Sequence, residues 1–131
     1  MTSIPPKLTA SAPVLLVSDV VKAANHYRDT MGFSYERFWG EPSSFVILQR
    51  DGMFLMHNQA ENPVHVVPHW TVSEKTADVC FWVSNVDALH EEFVSRGASI
   101  DFALCNQPHG CREFGAQDLD GHDIVFAQII N

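Results

Sequence analysis

From Pro13 the chain runs through a short aliphatic stretch, Val14-Leu15-Leu16-Val17, and then changes period. Asp19 has the short acceptor side chain of an N-cap. Val20, Ala23, Ala24, Tyr27 and Met31 then recur at helical spacing until Gly32 ends the pattern. A strand running into an amphipathic helix is predicted. Three strand-like runs follow, FSYERFW, SSFVILQR and MFLMHN, punctuated by Gly40-Glu41-Pro42 and by Asp51-Gly52, the latter a strong hairpin signal.

The second half repeats this order. LVSDV (Leu16 to Val20) matches WVSNV (Trp82 to Val86) at an offset of 66 residues. The helical pattern DALHEEFVSRG stops at Gly97, 65 residues after Gly32, and Phe45 with Asp51-Gly52 recurs 69 residues on as Phe114 with Asp120-Gly121. Agreement at three anchors predicts a duplicated unit. The expected fold is α+β: one domain over residues 1–131 with two tandem β-α-β-β-β modules, at about 12–58 and 77–128. A Pro- and polar-rich connector without clear periodicity, about 59–76, joins them. Side by side, two such modules give a curved mixed sheet with helices on the outer face and a concave pocket on the other.

Strand alternation then sorts the side chains. Leu15 and Val17 are expected under the first helix, leaving Ala12, Val14 and Leu16 on the opposite face. The offset of 66 places Phe81 and Val83 under the second helix and turns Asp78, Cys80 and Trp82 toward the concavity. Phe54, Met56 and Asn58 join them from the fourth strand, and Asp123, Val125 and Ala127 from the last.

Composition narrows the function classes. A chain of 131 residues supports one core, and no apolar run is long enough to span a bilayer. The opening MTSIPPKLTASAP has neither a basic n-region nor an apolar h-region, so a cytoplasmic location is expected. Three cysteines, Cys80, Cys105 and Cys111, cannot all pair within the chain and form no C-x-x-C motif, against a disulfide framework or thiolate zinc site. A formal charge of −8 disfavours nucleic acid and anionic membrane surfaces and would attract a cationic small molecule.

Seven histidines invite a search for chemistry. His65 and His69 are separated by Pro68, which breaks any helix that would align them; they read as solvated loop residues. His109 and Cys111 sit in a loop-like QPHGCREF, where Arg112 and Glu113 read as a strand-edge pair that could also contact ligand. His57 alternates toward the helix-covered face, His26 and His90 lie on helices, and His122 belongs to a turn. Asp118-Leu119-Asp120-Gly121 lacks the alternating donors and the twelfth-position glutamate of a calcium loop. No Gly-x-Ser-x-Gly elbow or phosphate-cradling glycine loop occurs. Among the aromatics, Phe54 and Trp82 are expected on the pocket face and Trp39 at a strand end, which with nearby carboxylates suits flat or cationic ligands.

Four stretches in this order, LLVSDVVKAANHYRDTMGF, VILQRDGMFLM, ADVCFWVSNVDALHEEFVSRGA and REFGAQDLDGHDI, resemble the vicinal oxygen chelate superfamily. Its members include glyoxalases, extradiol dioxygenases, fosfomycin resistance enzymes and bleomycin resistance proteins. The resemblance covers Ala12 to Gln128, and Leu119 stands where the family's aspartate-proline-aspartate-glycine turn has proline. Family enzymes hold a divalent metal with a histidine at the start of each module's first strand and a carboxylate in each last strand. The resemblance places these positions at Ala12, Met56, Asp78 and Val125, and three of the four offer no donor.

What the resemblance implies is therefore a small-molecule binding protein without metal or cofactor. Like bleomycin resistance proteins it would sequester a drug or metabolite, an antibiotic-resistance role without catalysis, and it would act as a homodimer. The expected ligand-binding residues are Trp39, Phe54, Met56, Asp78, Trp82, Glu113, Asp123 and Val125. The alternatives are a metal-dependent glyoxalase- or dioxygenase-like enzyme using His57, His109 or Cys111 as displaced ligands, and a module whose pocket is filled by its own side chains.

Overall fold

The computed structural model describes residues 4–74 and 76–130. Module one contains β1 (Val14–Val17), α1 (Val20–Met31), β2 (Phe38–Trp39), β3 (Phe45–Arg50) and β4 (Met53–Gln59). Module two contains β5 (Val79–Trp82), α2 (Val86–Ser95), β6 (Ser99–Gln107), β7 (Cys111–Gln117) and β8 (Asp123–Ile129). Each module is a four-stranded mixed sheet, ordered β1-β4-β3-β2 and β5-β8-β7-β6, so the α+β reading with two β-α-β-β-β modules holds.

The repeat is reproduced in the hydrogen-bond register. Val14 lies opposite Met56 in the parallel β1–β4 pair, and Cys80 lies opposite Val125 in the parallel β5–β8 pair. These are the offsets of 66 and 69 seen in the sequence. Local chemistry explains the elements. The Asp19 carboxylate accepts from the backbone N–H groups of Val21 and Lys22 at 3.1 and 3.0 Å, and Gly32 adopts φ 74° to close α1. Asp51 at φ 51° and Gly52 at φ 78° make the two-residue turn between β3 and β4.

One segment departs from the expectation and two add detail to it. The run FSYERFW pairs as a strand only at Phe38–Trp39, because Phe33 is buried in the core and the Tyr35 hydroxyl donates to Asn25 Oδ1 at 2.5 Å. The connector is not formless: Pro63–His65 and His69–Thr71 form short 3-10 turns, and the Trp70 indole N–H donates to the Gly121 carbonyl at 2.6 Å. Asp120-Gly121 does not form a two-residue hairpin like Asp51-Gly52. Residues 118–122 make a longer loop, since the Asp118 carboxylate accepts from the N–H groups of both Asp120 and His122 at 2.9 Å.

The helix-facing sides of both sheets share one buried cluster, including Val17, Tyr27, Leu48, Phe93, Phe114 and Phe126. Phe93 meets Phe126 and Phe114 edge to face at 4.9 and 5.5 Å. Polar contacts join the modules as well. Arg50 is bidentate to Glu92 at 2.7 and 2.8 Å and donates to the Met31 carbonyl at the end of α1. Because this pair is partly open to solvent, Glu92→Ala should cost only about 1 kcal/mol, and less in 1 M salt, by chemical denaturation. Among the described residues no helix is long and apolar enough to cross a membrane.

Candidate functional site

Alternation on β1 and β5 buries one face and exposes the other. Leu15 and Val17 are buried while Val14 and Leu16 are exposed; on β5 the 64% exposed Trp82 and Cys80 point away from the core. The start of β5 and the start of β4 border a recess of about 420 Å³, whose walls include Pro13, Met53, Phe54, Asp78, Cys80 and Trp82. The sequence places Phe54, Asp78, Cys80 and Trp82 on this face; it does not assign Pro13 and Met53 to it. A larger groove of about 540 Å³ lies between the modules, bordered by Phe33, Arg50, Leu89 and Glu92, and it shares Met53, Phe81 and Trp82 with the recess.

The other expected residues fall elsewhere. Met56 and Val125 occupy equivalent register positions on the same faces as Val14 and Cys80. Glu113 lies opposite Ala127 on the concave face of module two, with its side chain 12% exposed and one oxygen 3.2 Å from His109 Nε2. Asp123 is buried and accepts from the Gln117 amide at 3.0 Å. Burial pushes its carboxyl up, against the Gln117 bond, and the neighbouring Asp101 and Asp78 push it the same way. Trp39 is on β2, at the far edge of the first sheet, where it packs on Phe45 and lies under the Arg37 guanidinium. The structure does not bring it to the recess.

The four positions where the family resemblance would place a metal do not fit one. Ala12, Met56 and Val125 have no donor atoms for a hard or borderline cation. Asp78 is 3% exposed, and its two oxygens accept backbone N–H groups from His69 and Asp123 at 3.1 and 3.0 Å, fastening the connector to the start of β8. The displaced-ligand alternative finds no common site either: His57 is buried on the helix side of module one, while His109 and Cys111 belong to module two. Burial raises the Cys80 thiol, as do Glu113 and Cys111 beside it, which opposes thiolate formation.

Among the described residues one trio, Asp118, Asp120 and His122, has donor atoms within 4.8 Å of one another. Most of its donor atoms are already engaged. Asp118 Oδ2 accepts from the Tyr27 hydroxyl at 2.7 Å and lies 2.8 Å from His122 Nδ1, and Asp120 accepts from the Ser18 backbone and hydroxyl. The turn is thus a clasp between the modules. Burial opposes charge on His122, yet the bond and charge of Asp118 outweigh it and raise the imidazole above its ordinary value. Tyr27 gave a signal in the sequence: a tyrosine on the apolar stripe of a helix needs a hydroxyl partner when buried. A second signal was Gly115 inside a strand pattern, which marks a close approach. The Phe102 ring lies directly over it.

Comparison with known proteins places this geometry. The model of the glyoxalase/bleomycin resistance protein/dioxygenase superfamily matches residues 9–126. No functionally curated protein matches the chain. The bleomycin-binding protein from bleomycin-producing Streptomyces verticillus, solved with copper(II)-bleomycin, is similar at TM-score 0.69 and 25% identity, over 97% of this chain and 99% of that one. TioX from Micromonospora sp. ML1 is similar at 0.72 and 22%, over 93% and 99% of the two chains. A glyoxalase-related enzyme from Clostridium phytofermentans is similar at 0.75 and 17%, over 95% and 98%. With a match that spans nearly the whole chain and the duplicated module register it requires, this protein belongs to the glyoxalase/bleomycin resistance protein/dioxygenase superfamily.

Proposed function

We propose that the protein binds a flat, cationic small molecule and sequesters it without metal-dependent chemistry. The observation that carries this reading is the exchange of donors for apolar side chains at Ala12, Met56 and Val125, on faces that keep Phe54 and Trp82 exposed beside a recess. An exposed indole offers stacking and cation–π attraction, and the net charge of −8 favours cations. The likeness to a bleomycin-binding protein supports the same class of ligand. Sequestration in an antibiotic-producing or antibiotic-exposed cell is the role this implies, in the cytoplasm. A homodimer is part of the proposal: Val14, Leu16, Phe54 and Trp82 are exposed apolar side chains that a second copy would cover.

Copper(II)-bleomycin is the probe of choice. At a hundred times its Kd it should stabilise the folded chain by about 2.7 kcal/mol, read as a rise in Tm. Trp82→Ala should weaken its binding by about tenfold or more, since truncating a central aromatic anchor costs about 2 kcal/mol. No thermal shift, or an unchanged affinity in Trp82→Ala, would remove the reading. Elemental analysis of protein purified without chelator checks the other half: a stoichiometric transition metal would sink it.

A further inference from the structure

Module two has a concave face, yet the recess lies at its β5 edge and not over its centre. The centre is covered by Phe102. In the antiparallel β6–β7 pair Phe102 stands directly opposite Gly115, and a Cβ placed on Gly115 would come within 2.5 Å of the phenyl ring. Only glycine leaves room for that ring. Phe102 also packs against the small apolar cluster of Cys111, Val125 and Ala127, which is separate from the main core. Phe102 therefore covers a patch of this face formed by the Gly115 backbone and by small or branched side chains.

The strand that carries Phe102 is built for local change. β6 is the edge strand of its sheet, and its pairing with β7 shifts register on both sides of Phe102, between Ile100 and Phe102 and again between Phe102 and Cys105. Such bulges leave ladder hydrogen bonds unmade, so opening here disturbs few of them. Two residues from Gly115 on the same face of β7 stands Glu113, mostly buried, with exposed His109 as its neighbour.

We infer that Phe102 is a gate over a ligand slot in module two: its ring holds the place that a flat aromatic group of the ligand takes when Phe102 swings away, and Glu113 then pairs with a cationic group on that ring. This inference rests on the reading of the protein as a binder of flat cations and assigns it a specificity-determining residue. A gate that is open in roughly 1–10% of molecules reduces apparent affinity by the same fraction, so removing it should tighten binding by about 10- to 100-fold.

Benzamidine, a single ring bearing an amidinium, tests this, with benzoate as its anionic counterpart. Affinity is measured by calorimetry and the position of binding by amide NMR shifts at Gly115 and Val125. Phe102→Ala should bind benzamidine about 10- to 100-fold more tightly than the wild type, leave benzoate unbound, and lose most of the gain when Glu113→Gln is added. Should Phe102→Ala fail to fold, Phe102→Leu must give an increase in the same direction. Equal affinity in wild type and variant overturns the gate, as does equal binding of benzamidine and benzoate, the behaviour of a plain cavity. Absence of benzamidine binding to any variant overturns it too. Copper(II)-bleomycin binding at Trp82, measured on the same wild-type sample, decides the broader binding reading separately.

Discussion

Asp118→Ala is expected to lower stability by about 3–5 kcal/mol at pH 6, the range for breaking a buried ion pair. The Asp118 side chain is 1% exposed and that of His122 is 5% exposed. Removing the carboxylate leaves a buried imidazole without its partner, the Tyr27 hydroxyl without its acceptor, and the N–H groups of Asp120 and His122 free. Because Tyr27 is on α1 and Asp118 lies between β7 and β8, the damage falls on the joint between the modules. Urea unfolding of variant and wild type measures the difference. A loss below about 1 kcal/mol would mean that the clasp is not a stabilising element.

The pH dependence of that loss has a definite sign. Burial alone would push the Asp118 carboxyl up, but the His122 bond and charge, with the Tyr27 hydroxyl, hold it below its ordinary 3.8. A lowered carboxyl contributes stability above 3.8 that disappears as pH falls through its folded value. His122 is raised above 6.5, so its contribution is complete below 6.5 and fades as pH rises through the raised value. The cost of Asp118→Ala should therefore be greatest in the window from about 4 to 6.5 and smaller at pH 9, where the imidazole has lost its charge and the carboxylate keeps only uncharged donors.

The duplicated fold was legible because its signals are local and repeated. Asp19, Gly32 and Asp51-Gly52 act through their own backbone, and the 66- and 69-residue offsets became real strand partners, Val14 with Met56 and Cys80 with Val125. Alternation also placed His57 on the helix side and Trp82 on the open side. What failed was pairwise and long-range. Nothing local to FSYERFW announces that Tyr35 will reach back to Asn25, so its pattern predicts a longer strand than forms. Nor does the sequence disclose that Asp78, on the open side of β5 by alternation, spends both oxygens on backbone N–H groups. Trp39 was grouped with Phe54 and Trp82 by residue type, yet β2 and β1 are opposite edges of one sheet. The site itself is set by such packing choices, which periodicity cannot specify.

His57→Leu is expected to raise stability in acid. His57 is fully buried, its two ring nitrogens find no hydrogen-bond partner among the described residues, and its ring meets that of Tyr27 at 4.6 Å. Burial is the main reason that its value falls from 6.5 to about 4; the Asp118 charge opposes the fall and His122 adds to it. The unfolded chain therefore takes up a proton at this residue below 6.5 that the folded chain refuses until about 4, so stability drops as pH falls across that interval. A shift of this size corresponds to roughly 3 kcal/mol. Leucine fills a similar space without a titrating group, so the variant should equal or exceed the wild type at pH 7, where an unpartnered buried polar group already costs about 1–3 kcal/mol. Its advantage should then grow by roughly 3 kcal/mol between pH 7 and pH 4 in denaturant titrations. An advantage that stays constant with pH would show that His57 is protonated as readily inside the fold as outside it. His57 and His122 thus pull in opposite directions in acid: the clasp keeps its charged imidazole there, while the unpartnered ring beside Tyr27 favours the unfolded chain.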